Sequence, residues 1–319
     1  MNDLVIGIVG LGMIGNSTAV LSTMHGYKTI CYVRNEAKIP QYKADFDRMY
    51  DEMIAQGILT KEQAAICGTY LKYSTSYAGL AECEFIFEAI AENLEMKKEC
   101  YKLIEENCPN IKAIGSCSSS ILPDALASAA DKYADRIIVT HPFNPVHMVP
   151  YFELCYSEKT ADGVVDYVKE VLAKLDRKPS TLKKPNPGFI GNYLQFALWA
   201  AALNLVEQGV CDPKDIDNCL NYSFCPRYSS IGIFDHFDNG GYKLNITTCN
   251  AVFPILPRWD GAPASIREKA ESEDAWGAKS PTKKGFYDWN GVDMVEYQKK
   301  VNAPYWGFIN WPLPTEECK

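Results

Sequence analysis

The sequence predicts an α/β protein with a doubly wound, parallel sheet, followed by a mainly α-helical domain. Through the first half of the chain, short apolar runs alternate with helix-like segments, which is the pattern of strand–helix–strand units in a parallel sheet. Near residue 186 this alternation stops at a Pro- and Lys-rich stretch, and a long apolar helix follows. We therefore expect a first domain at residues 1–186 and a helical second domain at residues 187–319.

The elements of the first domain follow from its apolar runs and their spacing. Strands are predicted at residues 4–10, 28–33 and 83–90 and in the segments "KAIGSC" and "RIIVTH". Helices are predicted after the first strand through Met24, over residues 36–68, over residues 94–106 and in "PDALASAADKYA". Thr60 and Gln63 match a capping box, so the second of these helical segments is expected to be a hairpin.

The second domain opens with the segment "FIGNYLQFALWAAALNLVEQG", a helix that is apolar on nearly every face. Such a helix is expected to be buried, either within a helical domain or at a contact between subunits. Asp212 is expected to cap the next helix, with Pro213 at its first position. From about residue 245 the chain is rich in Pro, Trp and Gly without periodicity, so no element is predicted there.

Composition and charge disfavour several classes of protein. The 319 residues are 47% hydrophobic and 23% charged with a net charge of −8, which disfavours a surface that tracks nucleic-acid phosphates. No apolar run is long enough to span a bilayer, and the N-terminus lacks the basic region of a secretory signal. The 12 cysteines are scattered without a CxxC pair, which favours buried thiols in a reducing compartment over a metal site. We expect a cytoplasmic protein with no metal, nucleic-acid or membrane partner.

A GxGxxG motif directly follows the first predicted strand and opens the first helix. Its residues are Gly10, Leu11, Gly12, Met13, Ile14 and Gly15. In such a motif the first glycine makes the tight turn, the second lets a pyrophosphate approach the backbone, and the third lets the helix pack on the strand. The helix N-terminus then faces the anion. The motif predicts a Rossmann-type, dinucleotide-binding domain; a glycine-rich turn without a ligand is the alternative.

The end of the second strand bears on which dinucleotide is bound. A site for NAD usually carries Asp or Glu there to bind the ribose hydroxyls, whereas this chain has Val33 followed by Arg34. An acid would repel a 2′-phosphate, and a guanidinium can bind one through paired hydrogen bonds. We therefore expect an NAD(P)-dependent protein that favours NADP(H). In the alternative, Arg34 is a solvated side chain, Glu36 substitutes for the missing acid, and NAD(H) is used.

Two of the four histidines lie in the segment "VTHPFNPVHMVPYFELC". His141 lies at the end of a predicted strand, where ligands bind in open α/β sheets. Oxidation of a secondary alcohol by a nicotinamide releases a hydride and a proton, and a histidine is suited to take the proton near neutral pH. Glu153, a carboxylate in an apolar run, needs a polar partner and would orient the imidazole. We interpret His147, like His25 and His236, as incidental to the chemistry.

Several segments together resemble the L-3-hydroxyacyl-CoA dehydrogenase superfamily. They are "GIVGLGMIG", "FEAIAENLEMKKE", "GSCSSSIL", "RIIVTHPFNPVHMVPYFEL", "PGFIGNYLQ" and "KKGFYDW", in this order along most of the chain. Within the superfamily, "SSSILP" and "CPRYSSIGIFDHFD" look more like the branch of lambda-crystallin, or L-gulonate 3-dehydrogenase, and of L-carnitine dehydrogenase. The resemblance to that branch implies a free hydroxy acid as substrate, and the superfamily implies a homodimer.

The resemblance also implies roles for polar residues. Ser119 and Asn192 match the positions that hydrogen-bond the substrate oxygen beside the histidine base. Asn144, Glu92 and Lys97 match positions that contact the cofactor. In the alternative for Ser119, its side chain only caps the helix that follows.

Cys117 and Arg227 bear on the substrate. Cys117 stands where the CoA-dependent enzymes usually have Asn, and Arg227 stands where the free-acid branch has an arginine. A cation at the site would bind a substrate carboxylate bidentately; an ordinary surface or interface arginine is the alternative. We expect an NAD(P)-dependent oxidoreductase that interconverts a small 3-hydroxy acid and the 3-oxo acid, with His141 and Glu153 as the acid/base pair. The alternatives are an L-3-hydroxyacyl-CoA dehydrogenase and a non-catalytic, crystallin-like structural protein.

Overall fold

A computed structural model describes residues 4–240, 242–257, 261, 267–268 and 277–308. The chain divides into two compact units, one of residues up to Ile190 with a return of the chain from Lys300, and one of Gly191–Lys299. The domain boundary expected at residue 186 stays a prediction. The return to the first unit from Lys300 is not part of the expected organisation.

The described part of the first unit contains a sheet of eight strands in the order β3-β2-β1-β4-β5-β6-β7-β8. The strands are β1 Val5–Val9, β2 Lys28–Tyr32, β3 Leu71–Ser74, β4 Phe85–Glu88, β5 Ala113–Ser116, β6 Ile137–Pro142, β7 Tyr151–Cys155 and β8 Lys178–Thr181. Neighbouring strands are parallel except for β6 and β7, which are antiparallel. The predicted doubly wound α/β fold is confirmed, with one antiparallel pair that the alternation of elements does not predict.

Helices cover both faces of this sheet. They are α1 Met13–Met24, α2 Ile39–Ala55, α3 Lys61–Thr69, α4 Leu94–Asn107, α5 Pro123–Ser128 and α6 Val164–Lys174. Apolar side chains of α1, α2 and α6 pack in one core with Phe85 and Phe87, while those of α4 and α5 pack in a second core with Ile86. Alternate residues of a strand point to opposite faces, so the two cores lie on opposite sides of the sheet. The predicted capping box is confirmed, since Thr60 and Gln63 exchange hydrogen bonds of 2.8 and 3.2 Å.

Two strands, one helix and one helix end differ from the prediction. None of β3, β8 and α6 is predicted from the sequence, and the helix expected through "PDALASAADKYA" ends at Ser128. β3 is a four-residue strand at one edge of the sheet, too short to show a clear alternation. β8 has the sequence "KPST" and lies at the other edge, where a proline is tolerated because its missing N–H need not join the ladder.

The second unit is mainly helical in its described part. Its helices are α7 Gly191–Glu207, α8 Pro213–Tyr222, α9 Cys225–Tyr228, α10 Ile233–Gly240 and α11 Tyr242–Val252, and α12 Met294–Asn302 begins in it. Asp212 precedes α8 with Pro213 in the first turn, as predicted. In the part of the chain that the structure describes, no helix is both long enough and apolar enough to cross a bilayer.

Helix α7 is exposed, which corrects the expectation of a buried helix. Leu203 is the buried residue of this helix, while the side chains of Tyr193, Leu194 and Phe196 are 61%, 58% and 57% exposed. The second expectation for it, a contact between subunits, stays a prediction.

Candidate active site

The glycine motif forms a tight turn between β1 and α1. Gly10 has a φ of +99°, and a Cβ there would lie 2.6 Å from the backbone of Ala89. A Cβ on Gly15 would overlap the carbonyl oxygen of Gly10, so the first and third glycines are required by packing. Beside Gly12, by contrast, no described atom lies within 4 Å of the place a Cβ would take. The turn therefore leaves open space at the N-terminus of α1, where a pyrophosphate fits.

A groove of about 250 Å³ lies next to this turn. Its lining residues come from the glycine motif, the end of β2 and the side of α4; they are Val9, Gly10, Leu11, Tyr32, Val33, Arg34, Tyr42, Tyr77, Ile90, Met96, Glu99, Cys100 and Leu103. The rings of Tyr32 and Tyr77 are 4.1 Å apart. Such a mostly apolar slot fits a flat heterocycle such as adenine. These residues therefore fit a dinucleotide.

The predicted cofactor residues Arg34 and Asn144 lie at the groove and at the start of α1, respectively. Arg34 is exposed at the wall of the groove, and Val33 is 2% exposed. Glu36 is exposed in the single helical turn Glu36–Lys38 that follows. The amide Nδ2 of Asn144 donates to Sδ of Met13 at 3.3 Å, which brings this side chain to the first residue of α1.

His141 and Glu153 are directly opposite each other in the antiparallel pair of β6 and β7. Nδ1 of His141 lies 2.7 Å from Oε2 of Glu153, and the carboxylate has no exposed surface. The other carboxylate oxygen, Oε1, accepts the backbone N–H of Ile190 at 2.8 Å. Each oxygen of this buried carboxylate thus has a donor, which is what an ionised group in an apolar strand requires. The imidazole is held between the rings of Phe143 and Phe189, with centroids 5.3 and 5.4 Å from its own.

Glu92, which the resemblance assigns to the cofactor, binds the loop that follows β5. Its Oε1 accepts hydrogen bonds from the side chain of Ser118, from the backbone of Ser119 and from both backbone and side chain of Ser120, at 2.7 to 2.9 Å. Burial acts to raise the pKa of Glu92, but the hydrogen bonds from Ser118 and Ser120 outweigh it and hold the pKa below its usual value. This carboxylate is therefore ionised at neutral pH.

Ser119 is exposed in the same loop, three residues after β5. The next helix, α5, begins at Pro123 after Leu122, so Ser119 is not its cap. This excludes the capping alternative. Because β5 and β6 are parallel neighbours, the loop that carries Ser119 and the end of β6 that carries His141 lie at the same edge of the sheet.

Lys97 is buried and contacts Glu88, a residue that the sequence analysis does not single out. Its Nζ lies 2.7 Å from Oε1 of Glu88 and 3.7 Å from Oε2 of Glu92, and its side chain is 1% exposed. Glu88 is fully buried at the end of β4 and also accepts hydrogen bonds from the side chains of Tyr101 and Ser116, at 2.9 and 2.7 Å. The sequence signal that could have indicated Glu88 is a carboxylate at the end of the apolar strand "FIFE". A direct contact of Lys97 with a cofactor stays a prediction.

Ser17 and His147 form a second link that sequence reasoning missed. The Ser17 hydroxyl lies 2.7 Å from Nδ1 of His147 and accepts the backbone N–H of the same residue at 3.1 Å. Burial, with smaller contributions from Arg177 and Arg48, lowers the pKa of His147 to about 3. His147 is thus neutral and ties the connection after β6 to α1. No pattern in the sequence pointed to Ser17.

Cys117 lies close to the charged cluster of Glu88, Lys97 and Glu92. Burial, reinforced by the charge of Glu88, raises the pKa of its thiol, so the thiolate needed for a nucleophile is not formed at neutral pH.

Asn192 and Arg227 belong to the second unit. Asn192 is the second residue of α7 and is half-buried. Arg227 is exposed in α9, and its Nη1 donates to Nε2 of His236 at 2.6 Å. Their place in the same site as His141 stays a prediction.

Two family models match the chain. The model of the 3-hydroxyacyl-CoA dehydrogenase NAD-binding domain matches residues 5–184, and the model of the C-terminal domain matches residues 188–289. Together they cover most of the chain.

Curated relatives point to the same group of proteins. L-carnitine dehydrogenase from Mesorhizobium japonicum is 28% identical over 222 residues, which make up 70% of this chain and 59% of that protein. The chain thus spans less than two thirds of this relative. The lambda-crystallin homologue of Mus musculus is 30% identical over 268 residues, or 80% of this chain and 83% of the relative. These matches confirm the resemblance to the superfamily and to the branch of lambda-crystallin and L-carnitine dehydrogenase.

Solved structures share the fold. The (S)-3-hydroxybutyryl-CoA dehydrogenase of Ralstonia eutropha is 27% identical, with a TM-score of 0.72 over 90% of this chain and 99% of that chain. A 5-formyl-3-hydroxy-2-methylpyridine 4-carboxylic acid 5-dehydrogenase superposes with a TM-score of 0.83 over 94% and 95% of the two chains. At 24% identity, the second likeness is one of fold alone.

Proposed function

The chain belongs to the 3-hydroxyacyl-CoA dehydrogenase family, and we propose that it is an NAD(P)-dependent oxidoreductase that interconverts a small 3-hydroxy acid and the 3-oxo acid. The observation that carries this proposal is the 2.7 Å hydrogen bond between His141 and the fully buried Glu153. The connection that follows His141 also carries Asn144, whose side chain contacts the start of α1. The β6–β7 hairpin thus carries the candidate proton acceptor, His141, and contacts the candidate dinucleotide loop through Asn144.

In the proposed reaction, His141 exchanges the proton of the substrate hydroxyl. Since Glu153 accepts from Nδ1, that nitrogen carries a proton and Nε2 is the one that accepts the substrate proton. A bound nicotinamide supplies or takes the hydride. When the proton moves to Nε2 the imidazole becomes a cation, and the Glu153 carboxylate stabilises that charge. Acid/base assistance of this kind typically contributes about 10²- to 10⁴-fold to a rate.

Three further residues are proposed to bind the substrate. Ser119 and Asn192 would hydrogen-bond the reacting oxygen, and Arg227 would bind the carboxylate of a free acid. A guanidinium has five N–H donors, so the contact of Arg227 with His236 leaves donors for a carboxylate.

Steady-state rates with acetoacetyl-CoA and with a panel of free 3-oxo acids, each with NADH and NADPH, test this function. We expect a higher kcat/KM for a free acid, and a KM for it that rises roughly tenfold in Arg227→Met. Lys214→Met, which removes an exposed cation of the same unit, is the control and should leave that KM unchanged.

The second candidate is an L-3-hydroxyacyl-CoA dehydrogenase, which the name of the matching family model favours. A strong preference for the thioester, with no effect of Arg227→Met, would select it. The absence of turnover with every substrate and both cofactors would favour the crystallin-like structural protein.

We further propose that NADP(H) is preferred over NAD(H). The support is the exposed Arg34 at the wall of the groove, together with the buried, uncharged Val33 at the usual acidic position. Titration of nicotinamide fluorescence should show tighter binding of NADPH than of NADH, and Arg34→Asp should weaken NADPH binding by roughly tenfold or more. Lys38→Asp changes the charge equally at an exposed site four residues on, and should have a much smaller effect. Equal effects of the two variants would mean that Arg34 acts only through general attraction.

A homodimer is proposed from the exposed apolar side chains of α7. Burying them against a second copy would remove this surface from water. Sedimentation equilibrium should give twice the chain mass, and Leu194→Glu with Phe196→Glu should give the mass of one chain. A monomeric parent protein would contradict the proposal.

A further inference from the structure

The loop after β5 contains three consecutive serines, and the structure separates their roles. The hydroxyls of Ser118 and Ser120 both donate to Oε1 of Glu92, at 2.7 and 2.9 Å. The hydroxyl of Ser119 makes no hydrogen bond to any residue that the structure describes, although its backbone N–H donates to the same oxygen at 2.9 Å. One carboxylate oxygen therefore gathers the loop around it and leaves the middle hydroxyl exposed.

Glu92 itself is held in place from the sheet side. Lys97 reaches its Oε2 at 3.7 Å and is fixed by the buried Glu88 at 2.7 Å. Glu88 accepts further hydrogen bonds from Ser116 and Tyr101, at 2.7 and 2.9 Å. The chain of contacts thus runs from a buried carboxylate through a buried ammonium to the partly exposed Glu92 and on to the loop. Each member is restrained by the one before it.

We propose that Glu92 is a positioning residue that presents the Ser119 hydroxyl to the substrate. This rests on the proposed function, in which Ser119 binds the reacting oxygen beside His141. A misplacement of a binding group by about 1 Å can cost up to about 100-fold in rate. A carboxylate that fixes four donors of one loop prevents such a displacement. A direct contact between Glu92 and the cofactor is the competing role, and the two roles differ in what they do to cofactor affinity.

The test compares Glu92→Gln, Glu92→Ala, Ser119→Ala and the double variant Glu92→Ala with Ser119→Ala. Glutamine keeps an acceptor for the loop but places an amide toward Lys97, so we expect a smaller loss of kcat than with alanine. We expect Glu92→Ala and Ser119→Ala each to lower kcat by roughly 10- to 100-fold, and the double variant to be no worse than Ser119→Ala by more than about twofold. The Kd of NADH and NADPH should change less than about threefold. Glu95→Gln, which changes an exposed carboxylate in the first turn of α4, three residues after Glu92, is the control and should match the parent protein.

Two results would overturn the inference. Additive losses in the double variant would mean that Glu92 does not act through Ser119. A rise in the cofactor Kd that parallels the loss of kcat would make Glu92 a cofactor ligand instead.

A parent protein without turnover would be a failure of the proposed function, and the loop can then be tested by itself. Hydrogen exchange at the amides of Ser119 and Ser120 should be at least tenfold faster in Glu92→Ala than in the parent protein or Glu95→Gln. Unchanged exchange would show that Glu92 does not hold the loop.

Discussion

Strands β4 and β7 each carry a glutamate without exposed surface, and these two residues, Glu88 and Glu153, are held in different ways. Glu88 faces the buried ammonium of Lys97 and the hydroxyls of Ser116 and Tyr101. Glu153 faces the imidazole of His141 and the backbone N–H of Ile190. The first carboxylate thus has partners that only donate hydrogen bonds to it or share them with other buried groups, whereas the second has an imidazole, whose far nitrogen is free to face a substrate.

The difference teaches how a buried carboxylate is related to its function. An ammonium has N–H donors and no acceptor, so the pair around Glu88 offers no acceptor for a substrate proton and instead restrains its surroundings. An imidazole paired with a carboxylate can bind and release a proton at its far nitrogen. Burial alone does not distinguish the two; the partner does.

The largest effect is expected at the pair that contains the imidazole. His141→Gln should lower kcat by about 10³-fold, because the substrate proton loses its acceptor. Glu153→Gln should lower it by roughly 10²-fold, because Nδ1 loses a charged partner while the shape is kept. Initial rates under saturating cofactor measure both, with urea unfolding of each variant as the control for folding. A kcat within threefold of the parent protein in His141→Gln would remove the distinction between the two carboxylates.

A smaller effect, on stability and not on proton transfer, is expected at Glu88. Glu88→Gln removes the nearer and fully buried partner of the Lys97 ammonium and leaves only the partly exposed Glu92 at 3.7 Å, so the free energy of unfolding should fall by about 3 kcal/mol. Adding Lys97→Met removes the poorly paired charge and should restore part of the loss. Glu84→Gln breaks the exposed pair with Lys112 just before the same strand and should cost less than about 1 kcal/mol. Urea unfolding of these three variants and the parent protein measures the losses; equal losses at Glu84 and Glu88 would contradict the prediction.

At neutral pH the smallest effect concerns the other histidine of the hairpin, which has a hydroxyl where His141 has a carboxylate. The folded state holds the pKa of His147 at about 3, mainly through burial, against an ordinary value of 6.5. Between these two values the unfolded chain binds a proton that the folded chain does not. Stability is therefore lost as pH falls below about 6.5, by at most about 1.4 kcal/mol per pH unit from this group.

Urea unfolding at several pH values between about 4 and 7 measures this slope. Between about pH 4 and 6, His147→Asn should reduce this slope by nearly 1.4 kcal/mol per pH unit, roughly the contribution of one bound proton. Above about pH 7 the slope should not change. His25, with its pKa lowered to about 4 by burial, adds a loss of the same sign, and His25→Asn should reduce the slope similarly. An unchanged slope in both variants would mean that these histidines titrate normally in the folded protein.

The sheet and the glycine turn could be predicted from local patterns. Alternating apolar runs indicate strands, and the spacing of Gly10, Gly12 and Gly15 indicates the turn, because these signals depend on near neighbours in sequence. The short edge strands β3 and β8 could not be found, since four residues with one exposed face carry little periodicity. The contact of Ser17 with His147 joins residues 130 positions apart, and nothing local encodes it.

The serine loop shows why a family motif does not fix a residue's part in the site. The resemblance assigns Ser119 to the substrate oxygen and both Glu92 and Lys97 to the cofactor. Only the folded chain shows that Ser118, Ser119 and Ser120 all bind the same carboxylate oxygen. Likewise, only the folded chain shows that Lys97 is buried against Glu88.

The antiparallel register of β6 and β7 makes the count of residues between His141 and Glu153 as important as their identity. The two face each other because they are ladder partners, and successive residues of a strand point to opposite faces. One residue inserted between Phe152 and Glu153 would turn the carboxylate to the opposite face of the sheet. The inserted residue would then stand across from the imidazole of His141. Insertions and deletions in this hairpin should therefore be tolerated only in the loop that connects the two strands.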